Sequence, residues 1–497
     1  MNDQSDQHTN PEGAGSTARP LFDAEFCAPE RRRFVLVAAI LASSMGFIDG
    51  TVVSIAMPAI REGLSASLAD AQWINNAYMI TLSALILTGG AFGDRFGLGR
   101  VFGLGIGLFI VTSLLCAIAT TPQILIAARF AQGAGAALMV PGSLAIISRA
   151  YPRDIRAGAI GTWAAWSAVT TAAGPIVGGL ALSFGGPEIW RWIFAINLPL
   201  GLVALWLLKR GVQTDASRPG QPVDALGAGL ATLGLGLLAW AMISGEDGLT
   251  PRTLALAALG TLTFSGFLIH EHRTAHPMMP LALFRSPLFS AANGVTFLLY
   301  FCLSAILFYL PMLVVAGWAI SEIEAAAAFA PLSIFIALLS KRFGVLADRI
   351  GPAPVIATGS AVIAAGYAWL ALFVDGQSFW WGVIPPMSLS GFGMSMVVAP
   401  LSAAIIAAVG DDQTGIASGV NNAVSRTAGL IAVAATGGLI AAGYATAGGT
   451  LSFGLPGTSP LHAEAMTSAF ATLAWICAAL ATLAAVMSLA MRDPAQR

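Results

Sequence analysis

The chain has 497 residues, of which 57% are hydrophobic and only 10% are charged, whereas an ordinary soluble domain has about 25% charged residues. Its mean hydropathy of +0.78, with 55 Gly and 26 Pro spread through apolar runs, indicates many transmembrane helices and argues against a soluble enzyme. A net charge of −1 argues against a nucleic-acid partner, which requires a basic surface for its phosphate contacts.

Neither the cysteines nor the histidines form a pattern typical of a metal site. The four cysteines are isolated in the sequence: Cys27, Cys116, Cys302 and Cys477. His270, His272 and His276 cluster after the predicted eighth span, where a solvated loop is a simpler explanation than a metal site. Because no Gly-x-x-x-x-Gly-Lys-Ser/Thr loop is present, we do not expect ATP-driven pumping. We also expect no cofactor, with a proton gradient as the energy source.

The N-terminal segment is polar and precedes a long apolar run. Residues 1–33 end in three consecutive arginines, and the run that follows extends from Phe34 to about Ile60. This run is too long for the core of a signal peptide, so we interpret it as a retained first span behind a cytoplasmic tail.

Cutting the sequence at its polar and charged breaks gives fourteen apolar stretches. Each has about 19–30 residues, which is enough to cross roughly 30 Å of hydrocarbon. The predicted spans are 34–60, 72–93, 100–119, 123–148, 157–184, 190–208, 224–244, 252–270, 287–315, 325–347, 354–374, 380–409, 424–446 and 466–491. The Gly- and Ala-rich stretch 424–446 is the least pronounced of them.

Positive charges predict the orientation of these spans. Twenty of the 24 Lys and Arg residues fall on the side of the chain termini, against Arg61, Arg191 and Arg252 on the other side, and Arg129 lies inside a span. Cytoplasmic loops carry the excess of positive charge in membrane proteins. Both termini are therefore expected in the cytoplasm, with the chain a multi-pass protein of the cytoplasmic (inner) membrane.

The chain contains an internal duplication. The segment 90–97 is echoed by 344–351 at an offset of 254, and the Gly-x-Gly of 133–135 is echoed at 391–393. Two halves of six spans need a smaller offset, so two additional spans separate them. The predicted parts of the chain are a polar cytoplasmic N-terminal tail (1–33), a six-helix bundle (34–208), a linker with two additional transmembrane helices (209–286), a second six-helix bundle (287–491) and a cytoplasmic tail (492–497).

Six motifs in order make the sequence similar to the major facilitator superfamily, and within it to the fourteen-span drug:proton antiporters. They are 48–58, 90–100, 129–135, 174–179, 190–199 and 415–422. Leu98 and Gly99 stand where the family often has further basic residues, and Thr170 stands where its antiporter motif often begins with Gly. The resemblance implies an all-α membrane fold of two six-helix bundles plus two central helices, and transport by alternating access.

Asp49 and Arg129 are the candidates for proton coupling. Asp49 is the carboxylate that falls near the middle of a span, where an ionised group must be paired, hydrated or protonated. A guanidinium stays protonated and can only tune a neighbouring acid, and the resemblance implies a coupling role for Arg129. The alternatives are a carboxylate that cross-links helices and an arginine that anchors backbone carbonyls. The sequence leaves open whether the two side chains touch.

Two groups of residues are candidates for gating. Asp94 and Asp348 are predicted to begin turns at the ends of spans, where the resemblance implies a latch between the halves; a tight turn with flanking positive charges is the alternative. The latch candidates are Gly90, Asp94, Arg95, Gly97, Arg100, Gly344, Asp348, Arg349 and Gly351. Gly174, Pro175, Gly178 and Gly179 let the fifth span bend and approach its neighbours, and by resemblance favour export.

Aromatic and amide side chains within the spans are the candidates for substrate binding, because aromatic rings offer flat apolar faces that also attract cations. They are Trp73, Asn75, Tyr78, Trp163, Trp166, Asn293, Tyr300, Tyr309, Asn421 and Asn422. Trp73 lies near a span end, where an aromatic belt is the simpler explanation.

The sequence thus predicts a proton-coupled exporter of small lipophilic or amphiphilic compounds, with protons, the substrate and the lipid bilayer as its partners. A monomer is expected, and a periplasmic adaptor is left open. The alternatives are an exporter dedicated to one metabolite or antibiotic, a nutrient symporter of the same fold, and a membrane sensor or scaffold that transports nothing.

Overall fold

A computed structural model describes residues 26–185, 187–213, 215, 223–248, 250–410 and 413–491. Every regular element in these ranges is helical, and a helix stands at each of the fourteen predicted spans. The α-helices are α1 Arg32–Leu64, α2 Leu68–Phe96, α3 Leu98–Ala117, α4 Pro122–Ala150, α5 Arg153–Gly185, α6 Trp190–Ala195, α7 Asn197–Gly211, α8 Ala225–Ile243, α9 Pro251–Arg273, α10 Pro287–Pro311, α11 Glu322–Ala327, α12 Ala330–Ile350, α13 Pro352–Phe373, α14 Ile384–Ala407, α15 Thr414–Thr446 and α16 Pro460–Leu489.

Two predicted spans are each built from two helices. The sixth span is α6 and α7, and the tenth is α11 and α12. Among the described residues, thirteen helical stretches are long and apolar enough to cross a membrane. The fifth predicted span is α5, a helix of 33 residues with an apolar stretch at Ala173–Phe184. The predicted all-helical membrane fold is confirmed.

Several helices extend beyond their predicted bounds, among them α15, α1 and α9. The helix α15 begins at Thr414 rather than at residue 424, so the motif 415–422 is helical. The helix α1 continues past residue 60 to Leu64, and α9 continues past residue 270 to Arg273. In each case polar residues extend the helix beyond its apolar stretch. The predicted boundaries are shorter because they were set by the apolar stretch alone.

Short polar side chains begin many of the helices. A hydroxyl or carboxylate oxygen at the N-cap accepts a hydrogen bond from an amide of the first turn, which would otherwise lack a partner. These N-caps are Ser67, Thr121, Asp224, Thr250, Ser286 and Ser321. Proline often follows at the first helical position, where its missing amide costs nothing. Capping thus fixes where several spans enter the bundle.

The helices form two halves and an additional pair. In the first half, α1–α7, α4 packs on α2 and α3; in the second half, α10–α16, α13 packs on α14 and α16. The additional helices α8 and α9 pack on each other, and α8 also contacts α2 and α15, which run side by side between the halves. We call the side of the bundle where α1 begins the terminal face, and the side where α1 ends the opposite face.

Candidate functional site

A buried ion pair lies inside the first half. Asp49 on α1 and Arg129 on α4 are each only 1% exposed, and Arg129 Nη1 donates a hydrogen bond to Asp49 Oδ2. The two charged residues that the sequence predicts deep within spans therefore meet. Arg129 Nε also donates to the carbonyl of Ile74, at 3.2 Å, so the arginine anchors a backbone group as well.

Gln132 joins this ion pair to two further helices. Its Oε1 accepts a hydrogen bond from Arg129 Nη1 at 2.7 Å, and its Nε2 donates to Asp49 Oδ1 at 3.2 Å and to Ser113 Oγ at 2.8 Å. Asn197 Nδ2 donates to the same hydroxyl at 3.3 Å. Sequence reasoning gave Gln132 no role, although its spacing of three residues from Arg129 places both on one helix face.

Aromatic rings complete the surroundings of Arg129. Its guanidinium carbon lies 4.3 Å from the centre of the Tyr78 ring and 5.8 Å from that of Phe194. Tyr78, a candidate for substrate binding, is only 2% exposed and thus packs against the arginine. Cation–π contacts and hydrogen bonds together compensate for removing the guanidinium from water. Removing the negative charge of Asp49 would leave a buried cation with neutral partners only.

Several of the remaining substrate candidates lie on α10 and α15, and two of them are in contact. Asn421 Nδ2 donates hydrogen bonds to Thr296 Oγ1 at 2.8 Å and to Asn293 Oδ1 at 3.3 Å. Tyr300 is half-buried one helical turn after Thr296, and Asn422 is exposed. Asn293 and Asn421 thus form a polar cluster within the second half.

The two tryptophan candidates lie on α5 in the first half. Trp163 Nε1 donates a hydrogen bond to Ser43 Oγ on α1 at 2.9 Å, whereas Trp166 is 54% exposed. Of this pair, Trp166 is therefore the more accessible to a ligand. The predicted candidates are divided between the two halves.

The opposite face is closed by contacts that the sequence analysis did not anticipate. Arg61 near the end of α1 is fully buried and donates hydrogen bonds to the carbonyl of Phe453 and to Ser452 Oγ at 3.0 Å, both in the connection between α15 and α16. Its Nε donates to the carbonyl of Ala66 at 3.2 Å. The sequence held one indication of this contact: basic residues are scarce on this face, and an isolated arginine at a span end needs a partner.

A buried glutamine makes a second connection between the halves at the same face. Gln72 on α2 donates from Nε2 to the carbonyl of Val433 on α15 at 2.5 Å and to Tyr309 Oη on α10 at 3.2 Å. A methyl group on Gly437 would overlap the Gln72 amide. The absence of a side chain at Gly437 therefore lets α2 and α15 meet here.

The glycines of α5 face two different neighbours. A methyl group on Gly178 would stand 2.7 Å from Val52 on α1, and one on Gly179 would stand 2.6 Å from the carbonyl oxygen of Glu322 on α11. Small residues permit such close helix contacts. The four motif residues are all buried: Gly174, Pro175, Gly178 and Gly179. One side of the motif thus packs within the first half, and Gly179 joins the halves at the opposite face.

Replacing Gly179 with alanine should therefore obstruct closure of the opposite face. The added methyl would press on the backbone of α11, and such overpacking costs about 1–3 kcal/mol, so we expect the export predicted from the sequence to fall about tenfold. Gly161→Ala on the same helix is the matched control, because nothing lies within 4 Å of that position, and we expect it to stay within about twofold of wild type. Compound efflux from cells that express equal amounts of each variant is the measurement; equal losses in both variants would contradict the assignment.

The repeated motifs end α2 and α12 at the terminal face. Gly97 and Gly351 have φ angles of 101° and 89°, which residues with side chains rarely adopt. The prediction that turns begin at Asp94 and Asp348 is wrong, because both positions lie in the last helical turn. In both helices the polar residues at the end remain helical, and the helix stops at the glycine that follows.

The predicted latch contacts are not present among the described side chains. Arg95, Asp348 and Arg349 are exposed and make no hydrogen bond or ion pair there, and the side chain of Asp94 lies outside the description. Instead, Asp215, in the segment after α7, accepts a hydrogen bond from the amide of Arg100 at 2.8 Å. The last two motif glycines, Gly90 and Gly344, have room for a methyl group.

Comparison with known proteins identifies relatives that span most of the chain. A family model described as the Major Facilitator Superfamily matches residues 39–434. The methylenomycin A resistance protein of Bacillus subtilis (strain 168) is 32% identical over 420 residues, which cover 83% of this chain and 89% of that protein. The tetracenomycin C resistance and export protein of Streptomyces glaucescens is 32% identical over 416 residues, covering 82% and 75%.

The fold has counterparts among solved structures. A bacterial homolog of the human lysosomal transporter Spinster, in its inward-facing and unoccupied conformation, superposes with a TM-score of 0.65 and covers 94% of this chain and 100% of that one. The two sequences are 20% identical, so the likeness concerns the fold.

Proposed function

The chain belongs to the major facilitator superfamily, and from this premise we propose that it exports small lipophilic or amphiphilic compounds in exchange for protons. Antibiotic resistance is what the names of two relatives describe, which favours export over nutrient uptake. The buried pair of Asp49 and Arg129 is the observation that carries the proton coupling.

Asp49 is the proposed proton carrier. In the ion pair its carboxylate accepts hydrogen bonds from Arg129 and Gln132. Protonation would remove its negative charge and with it the attraction to the guanidinium, which keeps Gln132, the Ile74 carbonyl and the Tyr78 ring as partners. Binding a proton therefore weakens the connection of α1 to α4 and leaves Arg129 with three neutral partners.

The helix α1 connects this site to the closure of the opposite face. Arg61 lies twelve residues after Asp49 in the same helix, a distance of ~18 Å at 1.5 Å per residue. A shift of α1 that follows protonation would thus reach the contacts of Arg61 with the connection between α15 and α16. Bistable contacts of this kind turn small local shifts into alternation between two states.

The proposed orientation places the terminal face in the cytoplasm and the opposite face outside a cytoplasmic membrane. The excess of basic residues on the side of the termini supports this assignment. The contacts of Arg61 and Gln72 close the opposite face, which supports the proposal that this state loads its substrate from the cytoplasmic side. One copy of the chain contains both halves, so the proposed working unit is a monomer.

The proton gradient supplies enough free energy for useful export. One charge that moves through about 150 mV yields about 3.5 kcal/mol, at about 2.3 kcal/mol per 100 mV. Since about 1.4 kcal/mol corresponds to a tenfold ratio, exchange of one proton sustains a concentration gradient of a few hundred-fold. The exposed ring of Trp166 and the half-buried Tyr300 are the aromatic surfaces that we propose for the substrate.

A transport screen in a bacterial host that lacks its own efflux pumps tests the proposed function. Expression should lower the accumulation of at least one lipophilic antibiotic or dye, and a protonophore should restore accumulation to the level of the empty vector. A response to one compound alone would identify a dedicated exporter. Raised accumulation would identify an importer, and no change across a broad panel would contradict transport.

A further inference from the structure

Two carboxyl groups meet at the terminal face, on helices other than the one that carries Asp49. Asp224 caps α8, and Glu271 lies in the last turn of α9. The structure describes every residue of α9, and only four of them are buried. Glu271 is one of the four and is 2% exposed. A buried glutamate at the end of an otherwise exposed helix calls for a physical explanation, because ionised carboxylates are rarely buried without a partner.

One oxygen of each carboxyl group has no hydrogen-bond donor. Asp224 Oδ2 and Glu271 Oε1 are both buried without a partner among the described residues. They lie against the same backbone position, since a methyl group on Gly227 would stand 2.5 Å from the first and 2.9 Å from the second. The two side chains are within hydrogen-bonding reach of each other. A proton between them would give both oxygens a partner.

The other two oxygens are engaged. Asp224 Oδ1 accepts from the Gly227 amide at 2.8 Å and lies 2.8 Å from His270 Nε2. Glu271 Oε2 accepts from the amide of Met279 at 2.9 Å. His270 therefore lies in a helix and contacts Asp224, and its predicted place in a solvated loop is wrong, because α9 is longer than its apolar stretch.

We propose that Asp224 and Glu271 share one proton and form a second proton-binding site, separate from Asp49, that holds the segment 274–280 against α2. Two carboxyl groups that lie this close do not both ionise readily, so the pair retains one proton, as in other carboxyl dyads.

The site controls a contact between the additional helices and the first half. Glu271 holds the amide of Met279, and the neighbouring Met278 Sδ accepts from Thr88 Oγ1 on α2 at 3.4 Å. Loss of the shared proton places two negative charges in one buried site, and their repulsion releases Met279. The segment 274–280 is then freed from α2, the helix that carries the 90–97 motif.

Among the residues that the structure describes, few charged groups compete with this pair. The titratable groups that act on Glu271 are Asp224, before α8, and His270 on α9. From the segment after α9, Glu271 faces the backbone amide of Met279, and α2 approaches that segment through the uncharged Thr88. Protonation of His270 would favour ionised Asp224, so the histidine opposes the shared proton at acidic pH.

Hydrogen–deuterium exchange on the full chain in lipid nanodiscs tests the proposal without any transport reaction. Protection of the peptide that contains Met279, corrected for intrinsic exchange, should fall at least about tenfold between about pH 6 and about pH 9. Glu271→Gln should stay protected at both pH values, because its amide donates to Asp224 and its carbonyl oxygen still accepts from Met279. Glu30→Gln, an exposed position at the same face, is the matched control and should follow wild type.

Three outcomes would overturn the proposal. Protection of the wild type that does not change with pH would remove the proton site. At about pH 9, sodium chloride could restore protection where an equal concentration of choline chloride does not. That result would show that the pair holds a metal cation. Glu271→Gln that loses protection as wild type does would place the titrating group elsewhere. If this variant does not fold, Asp224→Asn takes its place, since its amide can donate to Glu271 and the same pH-independent protection is expected.

Discussion

Asp49→Asn is expected to abolish export against a gradient while leaving passive exchange of the compound. Asparagine accepts and donates hydrogen bonds but does not bind and release a proton near neutral pH, so the exchange loses its driving force. The steady-state gradient should fall from a few hundred-fold to about onefold. Compound accumulation in energised inverted vesicles is the measurement, and counterflow of labelled compound in the same vesicles is the control for an intact transport path.

A second variant separates coupling from stability. Asp49→Asn leaves Arg129 buried without a negative partner, which costs about 3–5 kcal/mol, so a low amount of folded protein could by itself explain lost transport. Asp49→Asn combined with Arg129→Gln removes both charges and should recover the amount and thermal stability of the protein but not proton-driven export. Recovery of export in the double variant would assign both residues to structure alone.

Arg61→Ala is expected to have the second largest effect, by opening the opposite face. Two hydrogen bonds from this guanidinium join the halves, and charge-assisted hydrogen bonds contribute about 1.5–3 kcal/mol each. Their loss should destabilise the closed arrangement by roughly 3 kcal/mol or more, which shifts the balance of states more than about 100-fold. Export should then fall at least about tenfold, because one of the two alternating states is depleted.

The distance between the halves measures this effect directly. Spin labels can be attached at Glu62→Cys and Leu451→Cys, two exposed positions on either side of the contact. The distance between the labels should be longer when Arg61 is replaced by alanine than when Arg61 is present. The four native cysteines are buried, which limits background labelling. Arg252→Ala, at an exposed arginine predicted on the same side, should leave the distance unchanged. Equal distances with and without Arg61 would contradict a role in closure.

The sequence predicted the architecture because the physics of a membrane leaves few choices. Long apolar runs must become helices in lipid, and a helix stands at each predicted span. The family resemblance, drawn from six motifs, is confirmed by the family model and the relatives. Asp49 and Arg129 stood out for the same reason, since a charge within a span is costly enough to be rare.

Contacts depend on details that hydropathy does not record. Whether Asp49 reaches Arg129 depends on the rotation of α1 and α4 about their axes, which the sequence does not record. Arg61 counted merely as a charge outside a span, because α1 continues one turn beyond its apolar stretch. The meeting of Asp224 and Glu271 likewise depends on the last residues of α9, where polar side chains hide a helical end.

The substrate candidates show a further limit of sequence reasoning. Tyr78 and Trp166 are both aromatic residues within predicted spans, but Tyr78 packs beneath Arg129, whereas Trp166 is largely exposed. A sequence position states neither which helix face meets the partner half nor which meets lipid. The assignment of substrate side chains therefore stays a prediction, and Trp166 and Tyr300 are the first to test by substitution.

Proton movement in reconstituted vesicles tests the central claim most directly. The purified chain is placed in proteoliposomes with a pH-sensitive dye inside and an imposed pH gradient, and a compound found in the transport screen is added. Proton–compound exchange predicts that the compound accelerates collapse of the gradient with wild type and not with Asp49→Asn. A gradient that collapses at the same rate with and without the compound, while the compound is transported, would contradict proton-coupled export.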